Sequence, residues 1–450
     1  MQVPCLPQEL VDSIIDDLFH DCRSLKNCAL VARSWAQSCR RHIFNHITID
    51  LALDEQEQID VLPKTTGISC AQEISQNGAR MEAVDLLLHA FSTASYLPSY
   101  IKHLTLKTYQ NPLFDDINHS KVNDTLSEKL ARALAQLTLL RSVDLDPRRW
   151  KEQPLALQRA CLTCIGLPTV TGVSVQVWDL GVNDLLSLLS GLASTAALEL
   201  RGSMYLQCSP EKALCIAYPP TAALRTLRMD GGGMIDFATT WLSNVPASCR
   251  RLESLDVNCS LRMSSGALQA LLSVCPALTT LTITAPARTF LRRPIHILNL
   301  SLTPRLREVR LACIVLRKET DRVHWVRSIF GAATEPLSLR HLVLEFRYCV
   351  GAILEDLQSL DDFFSGPQFP CLQQVTILFS AQELGSDETE AAALLLRAQF
   401  PILMERNVIE LICWHTQNMY DRRNNFQVVG KQYSGAQSSK TGSALLVRNV

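Results

Sequence analysis

The sequence predicts an α/β protein in which three N-terminal helices precede a long array of repeats, each supplying one parallel strand and one helix. Three observations lead to this prediction. The first 45 residues place apolar side chains at helical spacing, and from Ile101 onward one short apolar pattern returns at intervals of roughly 30 residues. The length of 450 residues also exceeds the size at which a single compact core keeps growing.

The N-terminal segment is predicted to form three short amphipathic helices. One apolar stripe comprises Leu10, Val11, Ile14, Ile15, Leu18 and Phe19, and a second comprises Leu25, Cys28, Ala29, Ala32 and Trp35. The first stripe is too wide for one neighbouring helix to cover. Three such helices can bury one side on each other and still present apolar side chains to a partner.

These residues resemble the F-box. The family pattern is Leu-Pro-x-Glu-Leu, an Ile/Leu pair one turn later, a Leu, and a stretch that ends in Trp. The matching positions are Leu6, Pro7, Glu9, Leu10, Ile14, Ile15, Leu18, Leu25, Val31 and Trp35. The stretch from Cys28 to Trp35 looks especially like the F-box proteins that are numerous in mushroom-forming fungi. The resemblance implies an F-box over residues 1–46 that binds a Skp-type adaptor and, through it, a cullin scaffold.

Eight residues are expected to matter most for adaptor binding or for the core of the F-box: Leu6, Pro7, Leu10, Ile14, Leu18, Leu25, Val31 and Trp35. The sequence does not separate the residues that contact the adaptor from those that hold the helices together. The alternative interpretation is a helical cap over the following array, because repeat arrays need polar-faced caps at their ends.

The array is predicted from the pattern apolar-x-x-apolar-x-apolar. Its copies begin at Ile101, Leu140, Val170, Leu224, Leu252, Leu278, Leu306, Leu339 and Leu372, with a weaker copy at 197–200, a first strand at 47–51 and a last strand at 408–412. This spacing resembles the longer, helix-containing form of the leucine-rich repeat. The Asn or Cys that usually follows the strand is missing, since the equivalent positions are Gly232, Ser260, Pro286 and Ile314.

We therefore predict an irregular leucine-rich-repeat-like solenoid over residues 81–420, with parallel strands on its concave side and helices on its convex side. The alternative is a two-layer α/β domain of ordinary βαβ units. Residues 47–80 are interpreted as a first strand and a polar linker. The Asn-, Gln-, Ser- and Gly-rich residues 421–450 are interpreted as a flexible tail.

Composition excludes several classes of function. Lys plus Arg number 43 and Asp plus Glu number 44, so the net charge of −1 argues against a nucleic-acid-coating or membrane-surface protein. The 16 cysteines are scattered through apolar stretches, and the N-terminus lacks the apolar core of a signal peptide. We expect a soluble, intracellular protein, located in the cytoplasm and/or the nucleus, with reduced thiols.

Candidate chemistry is weak. Cys161 and Cys164 form a lone Cys-x-x-Cys without the second pair of ligands that a structural zinc site needs. The glycines at 231–233 lack the Lys-Ser/Thr ending of a phosphate-binding loop. No local signature of a nucleophile is present, so we expect no catalysis, no cofactor and no metal.

The strand positions that alternate with the apolar ones offer a better candidate surface. Two charge pairs are predicted on neighbouring strands, Arg225 with Glu253 and Arg228 with Asp256. Later repeats carry Arg307, Arg310, Arg340 and His341 with fewer acids nearby (Glu308 and Glu345), which predicts a basic patch for an acidic or phosphorylated target protein. The alternative is a solvated sheet face with incidental pairs.

The function that fits these features best is that of a non-catalytic substrate-recognition subunit of a Skp–cullin–F-box type ubiquitin ligase. Its F-box would bind the adaptor and its repeats would bind the target. The alternatives are a leucine-rich-repeat interaction scaffold or inhibitor with no ligase connection, and, more distantly, an α/β enzyme. Repeat folds bind unrelated targets, so the fold does not identify the target.

Overall fold

The computed structural model describes residues 7–19, 21–50, 77–107, 120–147, 150–178, 180–192, 194–202, 224–231, 233–243, 249–258, 265–284, 298–316, 322–331, 335–348, 357–381, 391, 394–415 and 445–449. The chain divides into two compact units, a first unit Met1–Leu224 and a second unit Arg225–Val450.

The first unit begins with three helices, α1 (Gln8–Asp17), α2 (Cys22–Val31) and α3 (Arg33–Ile43). Five parallel strands follow in its described part: β1 (His46–Asp50), β2 (His103–Lys107), β3 (Ser142–Asp146), β4 (Gly172–Gln176) and β5 (Ala197–Arg201). The helices between them are α4 (Asn77–Thr93), α5 (Leu97–Tyr100), α6 (Ser120–Leu134), α7 (Leu155–Ile165) and α8 (Val182–Leu189). The strands lie side by side in chain order.

The second unit continues the same alternation. Its described strands are β6 (Thr226–Asp230), β7 (Ser254–Asn258), β8 (Thr280–Thr284), β9 (Glu308–Leu316), β10 (His341–Tyr348), β11 (Gln374–Ala381), β12 (Ile409–His415) and β13 (Leu445–Asn449). Its helices are α9 (Met234–Ser243), α10 (Ser265–Val274), α11 (Arg322–Phe330), α12 (Gln358–Ser365) and α13 (Pro401–Glu405). Here too each strand pairs in parallel with the next one along the chain.

The repeat pattern correctly predicts the strands. Each predicted copy contains or overlaps one of β1 to β12, and the paired, parallel, chain-ordered strands of each unit form a solenoid-like α/β fold. Residues 51–76 of the predicted linker are outside the described part of the chain, and its last four residues, Asn77 to Arg80, belong to α4. Most of the predicted flexible tail, through residue 444, is likewise outside them, and Leu445–Asn449 form β13 on the edge of β12.

Alternation along the strands explains which side of the sheet is buried. In β7, Leu255 and Val257 are fully buried, whereas Ser254, Asp256 and Asn258, which alternate with them, are only partly covered. Successive side chains of a strand point to opposite faces, so the apolar positions pack under the helices and the others form a second face. We call this second face, which starts with Thr226, Arg228 and Asp230 in β6, the polar face.

A repeated backbone contact joins nine pairs of neighbouring strands in the described part of the chain. The carbonyl oxygen just before one strand accepts two N–H groups from the start of the following strand: Arg225 O accepts from Glu253 N at 2.8 Å and from Ser254 N at 2.9 Å. The other carbonyls with this double contact belong to Asn45, Lys102, Arg141, Thr171, Glu253, Thr279, Arg307 and Arg340. We call this row the carbonyl ladder, and it fixes the register of every strand pair that it joins.

Packing between repeats in the second unit includes one aromatic cluster and one buried carboxylate. Phe330, Phe364 and Phe369 are fully buried, with ring centroids 5.3 to 5.6 Å apart in edge-to-face contacts. Asp361 of α12 is also fully buried and accepts the backbone N–H groups of Ile402 at 2.7 Å and Leu403 at 2.9 Å. These N–H groups belong to the first turn of α13, where no helical carbonyl is available to them.

Within the described residues, no helix combines the length and the apolar character needed to cross a membrane.

Gly202, directly after β5, provides a test of the fold. Its φ of 106° lies in a region that other residues rarely adopt, and a Cβ there would lie 3.0 Å from the Trp178 ring. We expect Gly202→Ala to lower the free energy of unfolding by about 1–3 kcal/mol. The matched control is Gly266→Ala in α10, where a Cβ would meet nothing within 4 Å, and we expect a gain of about 0.5–1 kcal/mol. Urea denaturation measures both, and equal effects would contradict the assignment of strain to Gly202.

Candidate docking surfaces

The N-terminal helices α1 to α3 form a small core of their own. Val11 and Ile15 from α1, Leu25 from α2 and Cys39 from α3 are buried together. Leu18, Cys28, Ala29, Trp35 and Ile43 pack against this core and are partly covered. Part of each predicted apolar stripe therefore lies in one cluster to which all three helices contribute, whereas Leu10, Ile14 and Phe19 of the first stripe are exposed.

The structure separates the predicted F-box residues into two groups. Leu25 is buried, and Leu18 and Trp35 are half-buried against the core. Leu10, Ile14 and Val31 are instead 52%, 45% and 70% exposed. Pro7 is exposed at the N-cap of α1, and Leu6 lies outside the described residues.

Leu30 is an exposed apolar residue that is not among the eight predicted F-box residues. Its side chain is 86% exposed at the end of α2. It stands next to Val31 and one position after the covered Ala29, so the helical period turns it away from the core. That period was the signal available in the sequence, and it was obscured because the stretch from Cys28 to Ala32 is almost entirely apolar.

Polar contacts hold the three helices in place around their core. Ser38 Oγ donates to Asp12 Oδ1 at 2.5 Å, and this bond is the main reason that the pKa of Asp12 lies below its usual range. His42 Nε2 lies 2.7 Å from Asp16 Oδ1, which gives a second link between α1 and α3. Asp21 caps α2 by accepting the N–H groups of Arg23 and Ser24 at 3.1 Å. The helices that carry the exposed apolar side chains are therefore held in place by hydrogen bonds between α1 and α3 and by the cap of α2.

The polar face of the second unit carries the predicted charge pairs. Arg225 Nη1 lies 3.2 Å from Glu253 Oε1, and Arg228 Nε lies 3.3 Å from Asp256 Oδ2. Both pairs join neighbouring strands at equivalent positions, as the parallel register of β6 and β7 requires. The predicted pairings are confirmed.

The predicted basic patch is divided by a buried acid. Arg307 and Arg340 are exposed and His341 is partly exposed. Arg310 Nη2, however, lies 3.2 Å from Glu345 Oε2, and the Glu345 side chain is only 7% exposed. The charge of Arg310 is therefore largely compensated, and the exposed positive charge of this region belongs mainly to Arg307 and Arg340.

A β-bulge at Cys313 explains how Glu345 becomes covered. The register of β9 and β10 shifts between Leu344 and Phe346, because one extra residue is accommodated in β9. Cys313 has a φ of 59°, which is uncommon for a residue with a side chain. Arg347 Nη2 contacts Cys313 Sγ at 2.7 Å, so Arg310, Cys313 and Arg347 surround the carboxylate of Glu345.

The Cys-x-x-Cys motif lies in the core of the first unit. Cys161 and Cys164 are buried in α7, and burial raises the pKa of both thiols, to about 12 for Cys164. Among the residues that the structure describes, no group of three or more His, Cys, Asp or Glu side chains could hold a metal ion. The glycine motif at 231–233 includes residue 232, which is outside the described part of the chain.

Compared with known proteins, the chain matches no protein-family model and no curated protein sequence.

The buried position of Glu345 gives a prediction about stability. Removing its carboxylate leaves Arg310 and Arg347 without their shared partner, so Glu345→Ala should lower the free energy of unfolding by roughly 1–3 kcal/mol. The matched control is Glu253→Ala, which removes a half-exposed carboxylate that also pairs with an arginine. We expect that control to change stability by only about 0–1 kcal/mol. Equal losses in urea denaturation would show that burial does not distinguish the two pairs.

Proposed function

We propose that this chain is a substrate-recognition subunit of a Skp–cullin–F-box type ubiquitin ligase. The N-terminal helices would bind a Skp-type adaptor that is attached to a cullin scaffold, and the repeats would bind the target protein. In this role the chain needs no catalytic group, because it raises the effective concentration of the target near the ubiquitin-carrying enzyme. Such a protein would act in the cytoplasm and/or the nucleus.

The observation that carries the proposal is the exposure of Leu10, Ile14, Leu30 and Val31 beside a complete small core. A helical unit that served only its own fold would gain nothing from presenting these side chains to water, since each buried leucine-sized side chain contributes about 1.5–3 kcal/mol. Interfaces concentrate their energy in a few apolar anchors of this kind. The resemblance of Leu-Pro-x-Glu-Leu and its following positions to the F-box supplies the identity of the partner.

A cap without adaptor binding is the second candidate, and one observation favours it. Helix α3 leads into β1 with only Phe44 and Asn45 between them, and Arg40 Nη1 donates to Tyr96 Oη at 2.9 Å. These contacts attach the helices to the start of the array, as a cap requires. A cap, however, has no use for the exposed Leu30 and Val31, so the two candidates differ in what these side chains should do.

Capture by a purified Skp-type adaptor distinguishes them. The test variant is the triple substitution Leu10→Ala, Ile14→Ala and Val31→Ala, which removes exposed side chains and leaves the buried cluster intact. We expect it to bind the adaptor at least about 100-fold more weakly than the wild-type chain, because each anchor contributes more than about 1 kcal/mol. Surface plasmon resonance with immobilised adaptor gives the dissociation constants.

The matched control replaces three exposed leucines elsewhere in the same unit, Leu86, Leu139 and Leu155, by alanine. This control should bind as the wild type does, and circular dichroism should show both triple variants folded. A wild-type chain that does not bind the adaptor would overturn the proposal in favour of the cap. Equal loss of binding in the control would show non-specific apolar adhesion and would also contradict it.

A further inference from the structure

The residues that directly precede the strands of the second unit form a row along the edge of the sheet at which the strands begin. Backbone hydrogen bonds of 2.8 to 2.9 Å run from the N–H group of each member to the carbonyl oxygen of the member before it. We call this the strand-start row, and its members in chain order are Arg225, Glu253, Thr279, Arg307, Arg340 and Gln373. All of them are exposed except Thr279, which is half-buried. Neighbouring members are separated by about the 4.8 Å between adjacent strands.

One pair shows that the side chains of neighbouring row members reach each other. Arg225 Nη1 lies 3.2 Å from Glu253 Oε1, although these side chains are 65% and 50% exposed. Arg307 and Arg340 stand in the same relation, because Arg340 N donates to Arg307 O at 2.8 Å and β9 and β10 continue in register from there. An anion held beside Arg307 is therefore within reach of Arg340, as Glu253 is within reach of Arg225.

The Arg307–Arg340 pair is not neutralised. The row members on either side of it, Thr279 and Gln373, are uncharged. Within the described part of the chain, neither guanidinium forms an ion pair or a side-chain hydrogen bond. Two like charges one strand spacing apart repel each other, so an anion between them is attracted twice and relieves that repulsion.

One acid lies close by along the chain. Glu308 directly follows Arg307 and begins β9, where it pairs in register with Thr280 on one side and His341 on the other. Successive residues at the start of a strand point to opposite sides, so Glu308 does not occupy the space between the two arginines. Its charge nevertheless opposes an incoming anion.

We propose that Arg307 and Arg340 bind an acidic segment of the target protein through its Asp and Glu carboxylates. A carboxylate accepts two parallel hydrogen bonds from one guanidinium, and the charges on both partners strengthen them. The row already contains this arrangement, since Glu253 holds against Arg225 the position that a carboxylate of the target would take. Both arginines are exposed on an open edge of the sheet, which suits a peptide segment lying across the row.

This inference rests on the proposed function in one respect, because the acidic segment belongs to the target that the repeats would bind. Peptide binding needs no adaptor, and neither arginine lies on α1, α2 or α3. The adaptor experiment and the peptide experiment can therefore fail independently, and the result of one does not decide the other.

Fluorescence anisotropy on the full chain tests the site, with the fluorescein-labelled peptide Gly-Ser-Asp-Glu-Asp-Glu-Ser-Gly as the probe at constant ionic strength. The test variant is Arg307→Gln with Arg340→Gln. The matched control is Arg225→Gln with Arg228→Gln, which changes the net charge of the same unit equally but removes arginines that already pair with acids. We expect binding at least about tenfold weaker in the test variant and a change of less than about twofold in the control.

The variant Glu308→Gln provides a gain-of-binding test of the same site. Removing the one acid that directly follows Arg307 should tighten binding of the acidic peptide by about two- to fivefold, because it removes a repulsion and leaves both arginines in place. Weaker binding in this variant would contradict the placement of the acidic segment beside Arg307.

Two further peptides decide what the arginines recognise. Equal affinity for the peptide Gly-Ser-Asn-Gln-Asn-Gln-Ser-Gly overturns the proposal, since carboxylates would then contribute nothing. Binding restricted to a peptide of glycine and phosphoserine overturns it in favour of phosphate. Equal loss in the test variant and the control, or no saturable binding of the acidic peptide, also overturns it. Circular dichroism on each variant verifies that lost binding is not lost folding.

Discussion

The carbonyl ladder is the contact on which the rest of the structure depends. In nine of the described strand pairs, the carbonyl before one strand accepts two N–H groups from the start of the next strand, so the backbone contact sets where that next strand begins. This explains how repeats of unequal length can keep one register: the helix and loop between strands vary, but the point at which the next strand begins does not. Side chains at equivalent positions are consequently stacked at the spacing of neighbouring strands.

That stacking determines the electrostatics of the polar face. A base in one repeat meets whatever residue occupies the same position in the next repeat, so Arg225 meets Glu253 and Arg228 meets Asp256. The chain has a net charge of −1, yet this face holds both neutralised arginines and the exposed Arg307 and Arg340, a distribution that composition alone does not reveal.

Much of the fold was predictable because strand period and repeat period are both properties of the sequence. The apolar-x-x-apolar-x-apolar pattern located β2 to β4 and β6 to β11 without knowledge of any contact. The surfaces were less predictable. Leu10 and Ile15 are equally apolar, and only the packing of α1 against α2 and α3 determines that Ile15 is buried and Leu10 exposed.

The environment of Glu345 was unpredictable for a different reason. In the sequence, Glu345 is only one of the few acids near a predicted basic patch, whereas its burial depends on the bulge at Cys313. No local sequence signal marks that bulge, since the residue with positive φ is a cysteine and not a glycine.

Asp361 makes the stability of one repeat depend on the packing of the repeat before it. Helix α13 has five residues, and so short a helix has no stability of its own in water. Its first N–H groups are held by a carboxylate that α12 supplies from the preceding repeat. Because that carboxylate is in position only when α12 is docked, loss of the packing of α12 would also remove the cap of α13, and the two helices depend on each other for stability.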